Sequence, residues 1–288
     1  MAQEYGTYVN PETGEVVSGL VDREAGVVRL AKNALYEDEV ALSGLVRPLA
    51  GLRALPPVRP ALIFAACINY REHAAESELQ VPTAPVLFQV SPGALIGDGG
   101  TVLVPRREAL QFGITEPYTD PEPELVAVLG WRNRVVGFAA GNDLSERWAN
   151  KYIIEHKIPW TLPGSLGTEH QITLFKSYPT FKPLGNLFRG EDLQPYDMKF
   201  SCTVNGQVVQ ECYSGDMIFS IDEQIAALCH HLGLEALPPG TLIFTGTSSG
   251  IGFKLTHSED SRPPLQPGDT VSVRFPFGSV TNPVGGPA

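Results

Sequence analysis

The sequence predicts a mainly β protein of the α+β class, and the frequency of turn signals is the first evidence for it. The 288 residues include 29 glycines and 25 prolines, which divide the chain into short segments. Most apolar runs are short and bounded by turn-forming residues, as in proteins built from many short strands. Long amphipathic helical patterns are scarce, so a helical bundle and a regular βαβ array are both disfavoured.

The N-terminal part of the chain contains two hairpin-like patterns. Apolar strand-like residues flank a turn at residues 10–14, and a second set flanks residues 24–26. The segment 55–60 is too rich in proline for a regular element and is the best candidate for a boundary. We therefore expect a small N-terminal β region at residues 1–58 and a main domain at residues 59–288.

One helix is predicted in the second half of the chain. Ser220 and Glu223 match a capping box, in which each side chain binds the backbone of the other residue. An apolar stripe at helical spacing follows and stops before a glycine. This stripe comprises Ile225, Leu228 and Leu232.

Composition restricts the partners of the protein. The net charge of -11 opposes binding to nucleic acid, which depends on positive charge. The N-terminus lacks the basic and apolar regions of a signal peptide, and no apolar run approaches the roughly 18 to 20 residues that cross a bilayer. We expect a soluble, cytoplasmic protein with reduced thiols. Its four cysteines are scattered: Cys67, Cys202, Cys212 and Cys229.

Three carboxylates point to a metal site. Glu122 and Glu124 are two residues apart at the entrance of the apolar run 125–129, so on a strand they would face the same side. Asp143, from the next segment, would complete an all-oxygen site for a hard cation such as Mg²⁺ or Mn²⁺. The alternative is a solvated strand face or an ion-pair cluster. Pro123 is unusual here because it removes a ladder donor and should confine the stretch to an edge or bulge.

Two further patterns concern catalysis. His73 and Glu76 are three residues apart and share a face if the stretch is helical, which would suit activation of a water molecule; an exposed helix with an incidental pair is the alternative. The glycines of segment 246–252 fit neither a dinucleotide fingerprint nor a P-loop. This segment could present Thr247 and backbone amides to a substrate oxygen, or be a simple glycine-rich turn.

Taken in order, these motifs resemble the fumarylacetoacetate hydrolase family, from about residue 61 to residue 284. The matching pieces are Asn69-Tyr-x-x-His73-x-x-Glu76, Pro85-Val-Leu-Phe88, Asp120-x-Glu122-x-Glu124-Leu, Asn142-Asp-Leu-Ser-Glu-Arg147, Lys176-Ser-Tyr-Pro-Thr-Phe-Lys-Pro-Leu-Gly185, Val204-Asn-Gly206 with Gln210, Asp216-Met-Ile-Phe219, Thr245-Gly-Thr247 with Gly250 and Gly252, and Leu265-Gln-Pro-Gly-Asp269. The resemblance implies a distorted β-roll, a mixed β-sandwich catalytic domain that is usually a homodimer.

The resemblance also implies roles for individual residues. Glu122, Glu124 and Asp143 would be the ligands of one Mg²⁺ or Mn²⁺ ion, and His73 with Glu76 would be a water-activating dyad on a mobile lid. The substrate site would be lined by Arg147, Lys176 and Thr247, with Lys176 also catalytic.

The chain departs from the family pattern in its substrate region. Val90 replaces a common lysine, and Pro121, Pro123 and Pro179 replace more permissive residues. Trp148 follows Arg147 where an aspartate is usual. The stretch 148–175 is long for the family, and residues 160–167 resemble an inserted loop. These departures predict an intact metal site with a remodelled pocket.

The leading functional hypothesis is hydrolytic cleavage of a carbon-carbon bond in an acylpyruvate-like or other β-diketo acid. Such a small-molecule oxo-acid substrate can chelate a divalent ion, which would stabilise the developing enolate. His73, oriented by Glu76, would deprotonate the attacking water, while Lys176 and Arg147 would hold a carboxylate or stabilise negative charge. The same site could decarboxylate a 2-oxo diacid such as oxaloacetate, or move a double bond. A catalytically inactive binding or scaffold protein is the alternative from another class.

Overall fold

Strands dominate the part of the chain that the structure describes, as the sequence predicts. The structure is a computed structural model, and it describes residues 2–105, 117–147, 175–252 and 261–286. The predicted inserted loop at residues 160–167 lies outside these ranges.

The largest sheet among the described residues has eleven strands, ten of them on one continuous path. Its N-terminal strands are β1 (Gln3–Val9), β2 (Val16–Asp22), β3 (Val27–Ala31), β4 (Leu42–Pro48) and β5 (Arg53–Leu55). The others are β6 (Ile63–Ala66), β7 (Leu87–Val90), β11 (Pro123–Leu129), β12 (Val135–Asn142), β15 (Leu187–Arg189) and β18 (Leu242–Phe244). The order along the path is β4-β3-β2-β1-β15-β12-β11-β18-β6-β7, and β5 pairs with β1.

A second sheet of five strands and two short strand pairs complete the described β structure. The five-stranded sheet has the order β17-β16-β19-β20-β9. Its strands are β9 (Val102–Leu103), β16 (Lys199–Val204), β17 (Gln207–Tyr213), β19 (Thr270–Arg274) and β20 (Ser279–Gly285). The short pairs join β8 (Leu95–Ile96) to β14 (Lys182–Pro183) and β10 (Thr119–Asp120) to β13 (Ser145–Glu146).

The N-terminal strands continue the main sheet. The two predicted hairpins are confirmed as β1-β2 and β2-β3. On its other side β1 pairs with β15, with Tyr5 opposite Leu187. The division of the sequence near residue 58 therefore does not interrupt the hydrogen bonding of the sheet.

Strand β11 is buried on both faces and lies at the centre of the fold. Leu125, Ala127 and Leu129 pack into a core shared with the five-stranded sheet, whereas Val126 and Val128 pack into a second core. The expectation that Pro123 confines this stretch to an edge or bulge is wrong. Pro123 is the first residue of an interior strand, and pairing with β18 begins only at Val126, so its missing N–H interrupts no ladder on that side.

The described residues include two α-helices with complete bounds, α1 (Arg71–Glu76) and α2 (Ile221–Leu232). The predicted capping box at Ser220 is confirmed, and Gly233 ends α2 in the left-handed conformation, φ 65°. No helix in the described ranges is long and apolar enough to cross a membrane. All four cysteines carry free thiols, of which Cys202 and Cys212 are buried.

Candidate metal centre

The antiparallel pairing of β11 and β12 brings the three predicted ligands together. The beginning of β11 lies beside the end of β12, where Pro123 pairs with Asn142. The backbone N–H of Asp143 donates to the carbonyl oxygen of Glu122 at 2.8 Å, which joins the two segments. One carboxylate oxygen from each of Glu122, Glu124 and Asp143 lies within 4.8 Å of the others.

All three carboxylates are buried, with at most 3% of their surface exposed, so their negative charges need compensation. Neighbouring groups compensate little of the negative charge of Glu124. Its Oε2 accepts a hydrogen bond from the N–H of Gly246 at 2.9 Å, and its Oε1 has no hydrogen-bond partner among the described residues. Burial, together with the charges of Asp143 and Glu122, raises the pKa of Glu124 well above its ordinary value.

Lys176 and Arg147 lie against the triad. The Lys176 ammonium donates to Glu122 Oε2 at 2.5 Å and to Asp143 Oδ2 at 2.8 Å. Arg147 forms an ion pair with Glu122 Oε1. Burial alone would raise the pKa of Glu122, but the positive charges of Arg147 and Lys176 outweigh it and lower that pKa to about 2.

Asp120 also binds Arg147, whose Nη2 contacts both Asp120 and Glu122. Its Oδ2 accepts hydrogen bonds from Arg147 Nη2 at 3.2 Å and Nε at 3.3 Å, and its Oδ1 accepts from Arg262 Nη2 at 2.7 Å. Asp120 belongs to the sequence motif of the glutamates, but we assigned it no role from sequence. Its contact with Arg147 follows from the pairing of β10 with β13, which places Asp120 opposite Ser145.

Lys182 was also missed by sequence reasoning. Its side chain is fully buried, and its ammonium forms an ion pair with Asp143 Oδ1. Burial lowers the pKa of Lys182, although the negative charge of Asp143 opposes that shift. A lysine in an otherwise apolar segment is ordinarily exposed, so no signal in the sequence distinguishes it.

His73 and Glu76 lie on α1, so their stretch is helical, but they are not hydrogen-bonded to each other. His73 is buried, which excludes the alternative of an exposed helix for this residue. Its Nδ1 is 3.9 Å from Glu76 Oε2 and has no hydrogen-bond partner within the described ranges. Glu76 Oε2 instead accepts from the N–H of Gly250 at 2.9 Å.

The segment 246–252, which we call the glycine loop, holds three carboxylates of the site through its backbone. Gly246 donates to Glu124, Gly250 to Glu76 and Gly252 to Asp120, each at 2.9 Å. A Cβ atom on Gly252 would lie 2.6 Å from Asp120 Oδ1, so only glycine permits this approach. The amides expected to serve a substrate oxygen therefore bind protein carboxylates.

Thr247 lies in the glycine loop and is buried. Its hydroxyl donates to the carbonyl oxygen of Pro123 at 3.1 Å and accepts from Gln210 Nε2 at 2.9 Å. Val90, which replaces the family lysine, is fully buried in the core of the main sheet. The substrate-binding roles of Arg147, Lys176 and Thr247 stay predictions.

The donor set fits a hard divalent cation. Three buried carboxylates converge, and one of them keeps an oxygen without a partner, which is the situation that a bound cation relieves. A mainly β fold with this centre, flanked by buried cations and a buried histidine, defines a protein built to bind a metal ion on oxygen ligands.

Comparison with known proteins places the chain within one family. Residues 62–285 match the family model described as fumarylacetoacetate (FAA) hydrolase C-terminal. The protein belongs to the fumarylacetoacetate hydrolase family, which confirms the resemblance read from its motifs.

Two curated relatives illustrate the match. The fumarylacetoacetate hydrolase domain-containing protein 2 homolog of Dictyostelium discoideum is 29% identical over 226 residues, which are 72% of this chain and 66% of that protein. The mitochondrial oxaloacetate tautomerase FAHD2A of Bos taurus is 29% identical over 272 residues, which are 86% of this chain and 78% of that protein.

Solved structures share the fold over almost the whole chain. The crystal structure of 5-carboxymethyl-2-hydroxymuconate delta-isomerase from Mycobacterium smegmatis has a TM-score of 0.73 and 25% identity, and it covers 99% of this chain and 100% of its own. Maleylpyruvate hydrolase from Sphingobium sp. SYK-6, in complex with manganese(II) and pyruvate, has a TM-score of 0.68 and 20% identity, with coverage of 99% and 100%. The predicted mainly β fold of this family is thereby confirmed.

Proposed function

We propose that the protein is a divalent-metal-dependent enzyme that hydrolyses a carbon-carbon bond in an acylpyruvate-like or other β-diketo acid. The observation that carries the proposal is the buried triad of Glu122, Glu124 and Asp143, in which Glu124 keeps an unpartnered oxygen. A structural role alone would not require three carboxylates within 4.8 Å of one another in a buried site.

Glu122, Glu124 and Asp143 would hold Mg²⁺ or Mn²⁺. When bound, such an ion supplies a Lewis acid that polarises a carbonyl group and stabilises negative charge on oxygen. The solved maleylpyruvate hydrolase complex, which contains manganese(II) and pyruvate, supports this choice of metal and of an oxo-acid substrate.

His73 is the proposed general base. It is buried at the edge of the site, and its Nδ1 carries no hydrogen bond from a described residue, so this nitrogen can exchange a proton with a bound water. Glu76 would orient the imidazole. The present separation of 3.9 Å requires a small movement of α1 before the two groups bond, which is common in catalytic pairs before substrate binds.

Lys176 and Arg147 would bind the substrate carboxylate. Both side chains are cationic and contact Glu122; Arg147 is buried, and the Lys176 side chain is 13% exposed. Guanidinium and ammonium groups in a water-poor site bind carboxylates strongly and stabilise negative charge on oxygen. Thr247 would then contribute its hydroxyl by exchanging its present partners.

A second candidate reaction is the tautomerisation or double-bond isomerisation of a 2-oxo diacid, with decarboxylation of oxaloacetate as a related outcome. The separation of His73 from Glu76 favours it, because a single base that moves a proton between carbon and oxygen needs no activated water. The oxaloacetate tautomerase and delta-isomerase among the similar proteins support the same class of chemistry.

The candidates differ in their products. Purified protein with Mg²⁺ or Mn²⁺ would be incubated with an acylpyruvate and, separately, with oxaloacetate, and followed by NMR. Hydrolysis consumes one water and yields pyruvate and a carboxylate from the acylpyruvate. Faster enol-keto exchange of oxaloacetate without acylpyruvate cleavage would overturn the hydrolase proposal, and carbon dioxide release would identify a decarboxylase.

An inactive scaffold would bind Mn²⁺ and turn over none of these compounds. If Glu122→Ala abolished metal binding and left every cellular role intact, the enzyme proposal would fail in favour of the scaffold. We further propose a cytoplasmic homodimer, which sedimentation and cell fractionation would test.

A further inference from the structure

Lys182 is a charged side chain with no solvent exposure, a property that Asp143 shares. It is among the largest fully buried side chains of the described residues. Removing an ammonium group from water costs several kcal/mol, so its burial requires strong and specific compensation. The compensation comes from the metal centre itself.

Three acceptors surround the Lys182 ammonium. It donates to the backbone carbonyl oxygens of Lys176 at 2.5 Å and Phe181 at 3.3 Å, and it forms an ion pair with Asp143 Oδ1. The contact with Asp143 is an ion pair and not a hydrogen bond, so two of the three N–H donors of the ammonium have backbone acceptors. Asp143 is a predicted metal ligand, and Lys176 is the predicted catalytic lysine.

The two oxygens of Asp143 consequently have different partners. Oδ1 contacts Lys182, while Oδ2 accepts from Lys176, whose ammonium also reaches Glu122 Oε2. A cation that binds the triad competes with Lys176, because Lys176 lies between two of the ligand carboxylates. It does not compete with Lys182, which approaches Asp143 from the other oxygen.

We propose that Lys182 is a positioning residue of the metal centre, which holds Asp143 through Oδ1 and leaves only Oδ2 for a metal ion. The same ammonium contacts both the Asp143 carboxylate and the backbone carbonyl oxygen of Lys176. The distance between Asp143 and the Lys176 backbone would therefore stay the same when a metal ion displaces the Lys176 side chain. Its positive charge also offsets part of the negative charge of the triad. This role rests on the proposed metal-dependent function.

The test compares Lys182→Met with the wild type and with Lys199→Met, which removes an exposed lysine from β16. Mn²⁺ binding to the metal-free protein is measured by calorimetry, and the coordination of the bound ion by its EPR spectrum. We expect Lys182→Met to bind Mn²⁺ at least about tenfold more tightly, since a neighbouring positive charge is lost. The EPR spectrum should change, because both oxygens of Asp143 become available, and Lys199→Met should match the wild type.

A Lys182→Met protein with the wild-type affinity and spectrum would overturn the inference, even if it were less stable, because a purely structural lysine predicts that result. A wild type that binds no Mn²⁺ would instead overturn the proposed function. The two failures are therefore distinguishable.

A measurement on the wild type covers the case in which Lys182→Met does not fold. The native protein is acetylated with and without Mg²⁺, and modified lysines are located by mass spectrometry. We expect Lys176 to become more reactive with Mg²⁺ while Lys182 stays protected. Increased reactivity of Lys182 on Mg²⁺ binding would overturn the inference.

Discussion

Replacement of Glu124 by glutamine should affect stability and metal binding in opposite directions. In the metal-free protein Glu124 is buried beside two other carboxylates, and its Oε1 has no partner among the described residues. Glutamine has the shape of the neutral carboxyl group and can keep the acceptor for Gly246. The Glu124→Gln variant should therefore be more stable than the wild type without metal and should bind metal less tightly.

The size of the effect follows from the geometry. Where Glu124 is ionised, unit charges within 4.8 Å of one another repel by about 3.5 kcal/mol or more at an effective dielectric constant of about 20. Lys176 offsets part of this repulsion, so we expect a net gain of about 1–2 kcal/mol. For a chain of this size that gain raises the melting temperature by about 2–8 °C. Affinity for Mn²⁺ should fall by about 100-fold, since it depends on the number of charged ligands.

The stability difference should depend on pH with a defined sign. An unfolded glutamate releases its proton near pH 4.3, about its ordinary pKa, whereas folded Glu124 retains its proton to higher pH because its pKa is raised. The folded state then binds more protons, so this group makes stability fall as pH rises, by at most about 1.4 kcal/mol per pH unit. The decline ends at the folded pKa, and Glu124→Gln should lack it.

Thermal melts in EDTA and in Mn²⁺, at several pH values, measure both effects. Glu211→Gln, which changes an exposed glutamate on β17, is the matched control and should alter neither. A lower melting temperature of Glu124→Gln in EDTA would refute the reasoning about repulsion. Unchanged Mn²⁺ affinity would remove Glu124 from the ligand set.

Four other perturbations test separate parts of the structure. His73→Ala should leave Mn²⁺ affinity nearly unchanged and lower turnover by about two to four orders of magnitude, as measured by calorimetry and steady-state kinetics; equal turnover would exclude His73 as the base. Arg147→Met should destabilise the metal-free protein by about 3 kcal/mol in urea unfolding, because it leaves buried carboxylates without a neighbouring cation. Adding Asp120→Asn to this variant should restore part of the lost stability. If the two substitutions changed the free energy of unfolding additively, this coupling would be contradicted. Burial raises the pKa of the Cys67 thiol to about 11, so its alkylation by iodoacetamide, followed by mass spectrometry, should accelerate about tenfold per pH unit from pH 7 to 10, whereas a plateau near pH 8.5 would indicate an ordinary thiol. Ser220→Ala should lower the free energy of unfolding by about 1 kcal/mol in a denaturant titration, because it removes the cap of α2. An unchanged free energy of unfolding would show that the cap does not stabilise the protein.

The features predicted correctly from sequence are those that local patterns determine. The cap and apolar stripe of α2 lie within a dozen residues, and the hairpins of the N-terminal region connect neighbours in the chain. Glu122, Glu124 and Asp143 converge because two sequential strands pair in antiparallel fashion, which needs only one correct pairing.

The contacts missed from sequence depend on segments far apart in the chain. Lys182 and Asp143 are 39 residues apart in the sequence, and Arg262 and Asp120 are 142 residues apart. Neither pairing follows from spacing or periodicity. Pro123 was misjudged for a related reason: whether a proline interrupts a ladder depends on where the neighbouring strand begins to pair.

The glycine loop connects three carboxylates of the site to one another through its backbone amides. Glu124 and Asp120 lie in one segment and Glu76 lies far from them in the sequence, on α1, yet each accepts a hydrogen bond from an amide of the same seven residues. A displacement of this loop would misalign all three together. A substitution that moves the backbone of the loop should therefore disturb Glu124, Glu76 and Asp120 at the same time.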